Sequence, residues 1–579
     1  MAAALLPTLA KGGVMSKKLA ITIAGAVSLG SYESGMAFEL LDAIAQHNQW
    51  ADAKNLPDER IEIDVLTGAS AGGMTVAMIA QRLLYDGLSM SQPYNNPLYD
   101  AWVSSVDIVG LLARDPKEDV THSVLSSDFV IGISETCLMG RYKSPPQPPP
   151  SPQPHPALPS DRKLQLGLAL SNLNGVDYYR STLSGGQFIY TRHEDQLVRS
   201  LDQISDDRGE VWDTIRAAAV ACGAFPIAFR VQDLVRNIAE YTSPWLVKTV
   251  WGGEPSTTFT YTDGGVFQNE PLGMAKNLVE QVPGGRLNAD QRGYLFIAPK
   301  QKSSSVVKNS PDPAVGFDAA TANYKVLASH LADSVIGQSE FQDWSVAEGY
   351  NDQLLLLDER AGELQRLFLS GTLTPSMTSL VSDVLLKSFF AENGQMKESS
   401  VANLKAARGQ LRQQYASEYA QFGVQVAVAN AWLDTVLVLE LAARLHEKEE
   451  MLIYDFVAEP ELLASSGLMA FAGFFDVSYR KHDYDYGRSV AQQRLAQYKT
   501  QPGSVFSNLH WAPKPIDPID QTLNGIQMTQ VDKTKREKVY DQISDAVNEL
   551  LQELNVNIFI RKPLMWFFIE GEVKKLLAL

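Results

Sequence analysis

Ile61-Glu62-Ile63-Asp64-Val65-Leu66-Thr67-Gly68-Ala69-Ser70-Ala71-Gly72-Gly73 is the stretch from which the fold is read. Its first six residues alternate β-branched or apolar with acidic side chains before closing on two apolar ones, the pattern of a short strand. Small residues follow, and then an apolar run from Met74 to Tyr85 with the character of a helix. The same order occurs once before. Leu19–Ala24 reads as a strand, Gly25–Gly30 as a small-residue loop, and Tyr32–His47 as a helix with Met36, Leu40, Leu41 and Ile44 on one face. Strand, glycine loop and helix, twice within about 70 residues, is the signature of an α/β fold: a parallel sheet with helices packed on it.

The full chain of 579 residues is long enough for two to four domains of roughly 100–200 residues each. Lys plus Arg is 50 and Asp plus Glu is 67, so the formal charge is 50 − 67 = −17. A surface this acidic excludes general nucleic-acid binding. Two cysteines, Cys137 and Cys222, make no disulfide framework and fit a reducing, cytoplasmic compartment. No apolar run reaches the roughly 18–20 residues that span a bilayer. Met1–Ala10 is apolar, but Lys17 and Lys18 follow rather than precede it, the wrong order for a signal peptide. Residues 1–18 are therefore expected to be an N-terminal arm.

Further along, Pro145–Pro159 holds nine prolines in fifteen residues, which predicts an extended, solvated loop over 144–159. Strand signals resume at Lys163–Leu170, a small-residue helix follows at Trp212–Ala221, and Thr258–Thr262 is a strand closed by Asp263-Gly264-Gly265. Gly293–Ala298 reads as the last strand. After Lys300 amphipathic segments dominate, around Ala314–Phe341, Asp352–Leu369, Val401–Tyr419, Val424–Leu445 and Val539–Leu554. The expected domains are thus the arm, an α/β domain over 19–300, and a mainly helical region over 301–579.

Gly68-Ala69-Ser70-Ala71-Gly72 fits the nucleophile elbow G-x-S-x-G. A serine on a tight strand-to-helix turn is held clear of the sheet at a helix N-terminus, and Gly68 and Gly72 make room where side chains would collide. Seven histidines follow Ser70 and none sits in a small-residue strand-end loop. Asp263 is the better base: it ends a strand, and Gly264 and Gly265 let the chain turn sharply beside its carboxylate. As a carboxylate it needs burial to raise its pKa. The amides of Gly25, Ala26 and Val27, in the loop that ends at Gly30, face the mouth of the first helix, where an oxyanion could sit. Glu62 and Asp64 share a strand face without a nearby histidine, so no metal site is expected.

These three elements, in this order, resemble the patatin-like phospholipase family. Gly25–Gly30 followed by Gly35 stands where that family has its oxyanion loop, Ser70 matches its nucleophile, and Asp263 with Gly264 and Gly265 matches its Asp-Gly-Gly motif. Ala221–Phe229 is similar to its A-S-x-A-x-P-x-x-F segment, with Cys222 in place of the serine. Ala26 and Val27 stand where glycines are usual, and Leu29 where the family often has Arg. The resemblance covers residues 19–300. It implies a patatin-like parallel-sheet core with helices on both faces, followed by the helical region. It also implies a Ser–Asp lipid acyl hydrolase, of phospholipase A or lysophospholipase type, that needs no metal or other cofactor. The implied partner is membrane phospholipid or another acyl lipid, met by peripheral contact. The apolar and basic stretch Asn557–Ile569 is a candidate interfacial anchor. A His-dependent esterase and a non-catalytic lipid-binding protein are the rival readings.

Overall fold

A computed structural model of the chain describes residues 16–113, 115, 118–119, 122–143, 150–181, 187–241, 246–247, 251, 254–282, 291–299, 342–390, 398–442, 451–466, 470–553, 574 and 577–579. Most of the N-terminal arm, the first part of the proline run, the segment Ala314–Phe341 and the stretch Asn557–Ile569 lie outside these residues. Lys17 and Lys18, assigned above to the arm, already belong to the first strand.

Among the described residues, eight strands form one sheet: β1 Lys17–Ile23, β2 Ile61–Gly68, β3 Lys163–Ser181, β4 Gln187–Asp202, β5 Gln232–Asn237, β6 Ser256–Asp263, β7 Arg292–Ala298 and β8 Ile453–Val457. Their order is β5-β6-β3-β2-β1-β7-β8, with β4 also on β3. The pairs β2–β3, β1–β2, β1–β7 and β7–β8 are parallel. The pairs β3–β4, β3–β6 and β5–β6 are antiparallel. The run β3-β2-β1-β7-β8 is the expected parallel core, and the sheet becomes mixed beyond it, where β4, β5 and β6 pair antiparallel; strands as close in sequence as β3 and β4 can pair only that way.

Every residue of β2 and β7 is buried, so both faces of the central sheet are covered. The two acidic residues inside β2 are neutralised from neighbouring strands. Lys18 Nζ of β1 lies 2.6 Å from Glu62. Arg292 of β7 grips Asp64 with two bonds of 2.7 and 2.9 Å. This accounts for carboxylates in a buried strand without any metal.

β1 leads through a short loop into helix α1, Gly30–Ala53, and β2 leads directly into α2, Ser70–Tyr85. Residues 150–154 of the proline run are exposed, as expected, but its last part turns inward and is not solvated. His155 and Ala157 are buried, and Ile63 N donates to Ala157 O at 2.8 Å. Proline lacks a donor but its carbonyl still accepts, and Pro156 O takes Asn48 Nδ2 at 2.8 Å.

The boundary expected near residue 300 is not where the chain divides. One compact unit joins residues 15–344 to Leu452–Leu579, and the other holds Ser345–Met451. Gly293–Ala298 is not the last strand, because β8 adds beside it. The helix Val477–Lys499 packs along α1 with glycine at both contact points. A Cβ on Gly35 would fall on Tyr484 O, and one on Gly487 on Tyr32 O. At this crossing Arg488 pairs with Glu39 at 3.0 Å, both side chains fully buried. The described part of the other unit consists of most of the helix Gln342–Leu369 and the helices Pro375–Phe390, Glu398–Gln414, Ala416–Ala420 and Val426–Ala442, and it closes on Trp432. That ring packs against Tyr415 and Phe422, and its Nε1 donates to Ala361 O at 2.9 Å.

Candidate active site

The site forms where two strands meet end to end. β4 occupies one edge of β3 along its length, so β2 and β6 share the other edge. β2 runs parallel to β3 and stops with Gly68 opposite Leu168. β6 arrives antiparallel and stops with Asp263 opposite Leu170. Two positions along β3 separate the ends, and each strand turns away at that point.

Ser70 leaves β2 with φ +50, a left-handed conformation that non-glycine residues rarely take. The turn is tight around it. A Cβ on Gly68 would meet the carbonyl of Gly72, and one on Gly72 the carbonyls of Ile23 and Ala24. Ser70 Oγ donates to Asp263 Oδ2 at 2.6 Å. The other carboxylate oxygen accepts Gly265 N at 2.7 Å, fixing the ring of the Asp263–Gly265 turn. Gly264 has no room for a side chain, because a Cβ would fall on Ala169 O of β3. Asp263 is 2% exposed, and burial pushes its pKa up to about 7 against the lowering effect of the Ser70 and Gly265 hydrogen bonds. A carboxylate at that value is a usable base near neutral pH.

The described histidines are engaged elsewhere. His155 is buried and its pKa is lowered to about 4. His193 Nδ1 bonds to Asn172 O, His482 lies between Asp483 and Asn524, and His47 and His510 stack with Trp50. His122 is exposed beside Asp119. His330 and His446 lie outside the described residues.

The loop after β1 departs from expectation at one amide. Gly25 N donates to Asn269 O at 3.1 Å, so it is not free for an oxyanion. Gly25 is glycine for lack of space: a Cβ there would collide with Asn269 Oδ1 and lie 3.1 Å from Ser70 Cβ. Among the described residues, the Ala26 and Val27 amides donate to no backbone carbonyl. Val27, at φ +53, holds the left-handed turn that a glycine would take without strain. The hold comes from far along the chain. Ser28 N donates to Ala470 O at 3.1 Å, Ser28 Oγ donates to the same carbonyl, and Gly473 N donates to Ser28 Oγ at 3.2 Å. Gly30 lets the Trp102 ring lie on the first turn of α1.

Sequence reasoning misses Asn269 and the placement of Cys222. Asn269 braces both Gly25 and Gly265; its one local signal is a polar residue shortly after the Asp-Gly-Gly turn. Cys222 lies beneath the elbow, its Sγ 3.9 Å from Gly68 O and in contact with the backbone N–H groups of Ser70 and Gly264. Burial raises its thiol pKa, so it is a neutral packing group.

A cavity opens from Ser70. Val27, Met74, Phe225, Phe229 and Phe474 are among its walls, and Ser70 and Ser134 bring hydroxyls to it. An oxygen nucleophile, a base of matched pKa, two amides in a strained loop and an adjoining apolar cavity can together support acyl transfer from a hydrophobic ester. Among the described residues, no group of three His, Cys, Asp or Glu side chains could hold a metal ion.

The chain matches no protein family profile. It is similar to the uncharacterized membrane protein Rv3479 of Mycobacterium tuberculosis (strain ATCC 25618 / H37Rv), 25% identical over 404 residues that cover 62% of this chain and 35% of that protein. It is also similar to the uncharacterized protein y4iI of Sinorhizobium fredii (strain NBRC 101917 / NGR234), 23% identical over 364 residues that cover 49% of each chain. The chain thus matches from about a third to about a half of the length of these curated relatives. Among solved structures, VipD from Legionella pneumophila aligns over 97% of this chain and 88% of its own, at 10% identity and a TM-score of 0.21, and a superposition that loose carries no argument. Among the described residues, no helix is long and apolar enough to cross a membrane.

Proposed function

We propose that this chain is a lipid acyl hydrolase of the patatin-like type, cleaving fatty-acyl esters with Ser70 as nucleophile and Asp263 as base. The observation that carries the reading is the buried 2.6 Å hydrogen bond between Ser70 Oγ and an Asp263 carboxylate whose pKa is raised to about 7. Ser70 Oγ attacks the ester carbonyl carbon as Asp263 takes its proton. The oxyanion is held by the amides of Ala26 and Val27. Collapse breaks the acyl–oxygen bond, and the proton on Asp263 goes to the leaving alcohol. Water then attacks the acyl-serine, giving its proton to Asp263, and the fatty acid leaves as the proton returns to Ser70.

The substrate is a membrane phospholipid or a related acyl lipid, met by peripheral contact, and the proposed chemistry uses no metal, other cofactor or nucleic acid. The proposed hydrolase domain is the unit that joins residues 15–344 to Leu452–Leu579, with Ser345–Met451 as an insertion in its sequence. The test is fatty-acid release from mixed phospholipid vesicles. Ser70→Ala and Asp263→Asn should each reduce release by about 10³-fold or more while the thermal unfolding transition persists. Full activity in Asp263→Asn would transfer the base role to another residue. Lipid binding with no turnover by the intact chain would leave a lipid-binding protein instead.

A further inference from the structure

One wall of the cavity beside Ser70 is a face of α2. From α2 it is lined by Ser70, Ala71, Met74 and Met78, positions that recur along a helical stripe. Eight residues separate Ser70 from Met78, about 12 Å at about 1.5 Å of rise per residue. Beyond Met78 the next turn of α2 is stitched to a neighbouring segment. Gln81 Nε2 donates to Leu138 O at 2.8 Å and Arg82 Nη2 to Cys137 O at 2.7 Å. These carbonyls belong to a π-helical turn, Glu135–Met139, and Cys137 and Leu138 line the cavity from the other side. The wall is thus tied to the helix that carries the nucleophile, one turn past Met78.

We infer that this cavity is a slot that measures a single unbranched acyl chain, with Met74 and Met78 setting the length it accepts. A zigzag chain of about 1.5 Å bonds advances roughly 1.25 Å per carbon, so about 12 Å takes roughly eight to ten carbons. Met74, four residues from Ser70, marks about half that depth. Methionine suits such a wall because its flexible thioether fits around a chain end. This inference rests on the acyl-hydrolase reading and adds to it the acyl length of the substrate.

The experiment is a series of p-nitrophenyl esters from acetate to palmitate, hydrolysed by the full chain in one detergent dispersion. The expected kcat/KM peaks near C8–C10 and falls by about tenfold at C16. Met78→Ala moves the peak to longer chains and Met74→Phe moves it to about C4. Met78→Leu, close in volume, keeps the original peak and guards against loss of folding. A profile flat to C16, or a peak unmoved by both Met78→Ala and Met74→Phe, overturns the inference while leaving the hydrolase reading in place. Hydrolysis of no ester at all overturns the hydrolase reading instead. Calorimetric binding of decanoate and palmitate then decides the slot: tighter decanoate binding that Met74→Phe abolishes upholds it, and length-independent binding sinks it.

Discussion

At the scale of the residue, Asp263 carries two opposed demands. It must be ionised to take a proton, and it is buried, which opposes ionisation. With a folded pKa of about 7, kcat/KM should rise with pH to a plateau, with its midpoint near 7. The same shift has a cost in stability. An unfolded aspartate titrates near about 3.9, so between about 4 and about 7 the folded chain holds the extra proton. Its contribution therefore makes stability fall as pH rises through that window, and the loss is complete above it. Asp263→Asn should accordingly stabilise the fold at pH 8 by about 1–3 kcal/mol while abolishing turnover. The amide keeps both contacts: Oδ1 still accepts Gly265 N, and Nδ2 can donate to Ser70 Oγ. Chemical denaturation at pH 5 and pH 8 checks it, since the gain should shrink at the lower pH.

At the scale of the element, the contact between α1 and the Val477–Lys499 helix depends on the absence of two side chains. Gly35→Ala places a methyl group on a backbone carbonyl, which cannot move aside as a flexible side chain would. A loss of roughly 2–3 kcal/mol is expected, read as a lower Tm. The ion pair at the same crossing behaves differently. Arg488→Met leaves Glu39 buried without its cation, a change that typically costs about 3–5 kcal/mol. Replacing Glu39 with Gln in the same chain should recover part of that loss, because the burial that already raises the Glu39 pKa then acts on a neutral group. Either result is measured by denaturant unfolding of the single and double variants.

At the scale of the molecule, the α/β unit is discontinuous in sequence. A fragment of residues 16–300 would lack β8, the Val477–Lys499 helix and the Ala470–Phe474 segment that pins the candidate oxyanion loop. Such a fragment should aggregate or unfold without cooperativity. Replacing Ser345–Met451 with a flexible Gly/Ser linker should instead leave a cooperatively folded protein, because that segment forms its own core around Trp432. Soluble expression and calorimetry of the two deletions distinguish them; a well-folded 16–300 fragment would refute the discontinuous unit.

The two strand–loop–helix units, the elbow at Ser70 and the Asp263-Gly264-Gly265 turn were legible from local sequence. Each is set by periodicity, small residues and turn chemistry within a dozen residues. The end-to-end meeting of β2 and β6 on one edge of β3 was not, because register along a third strand has no local signature. The same holds for Asn269 taking up the Gly25 amide, for Cys222 beneath the elbow, and for Ala470 and Gly473 holding a loop more than 400 residues earlier in the chain. Sequence by itself determined which groups carry the proposed chemistry, since those are properties of side chains and short turns. Tertiary structure alone decided which backbone amides stay free, which side chains line the cavity and which distant segments complete the unit, because these follow from packing between elements far apart in sequence.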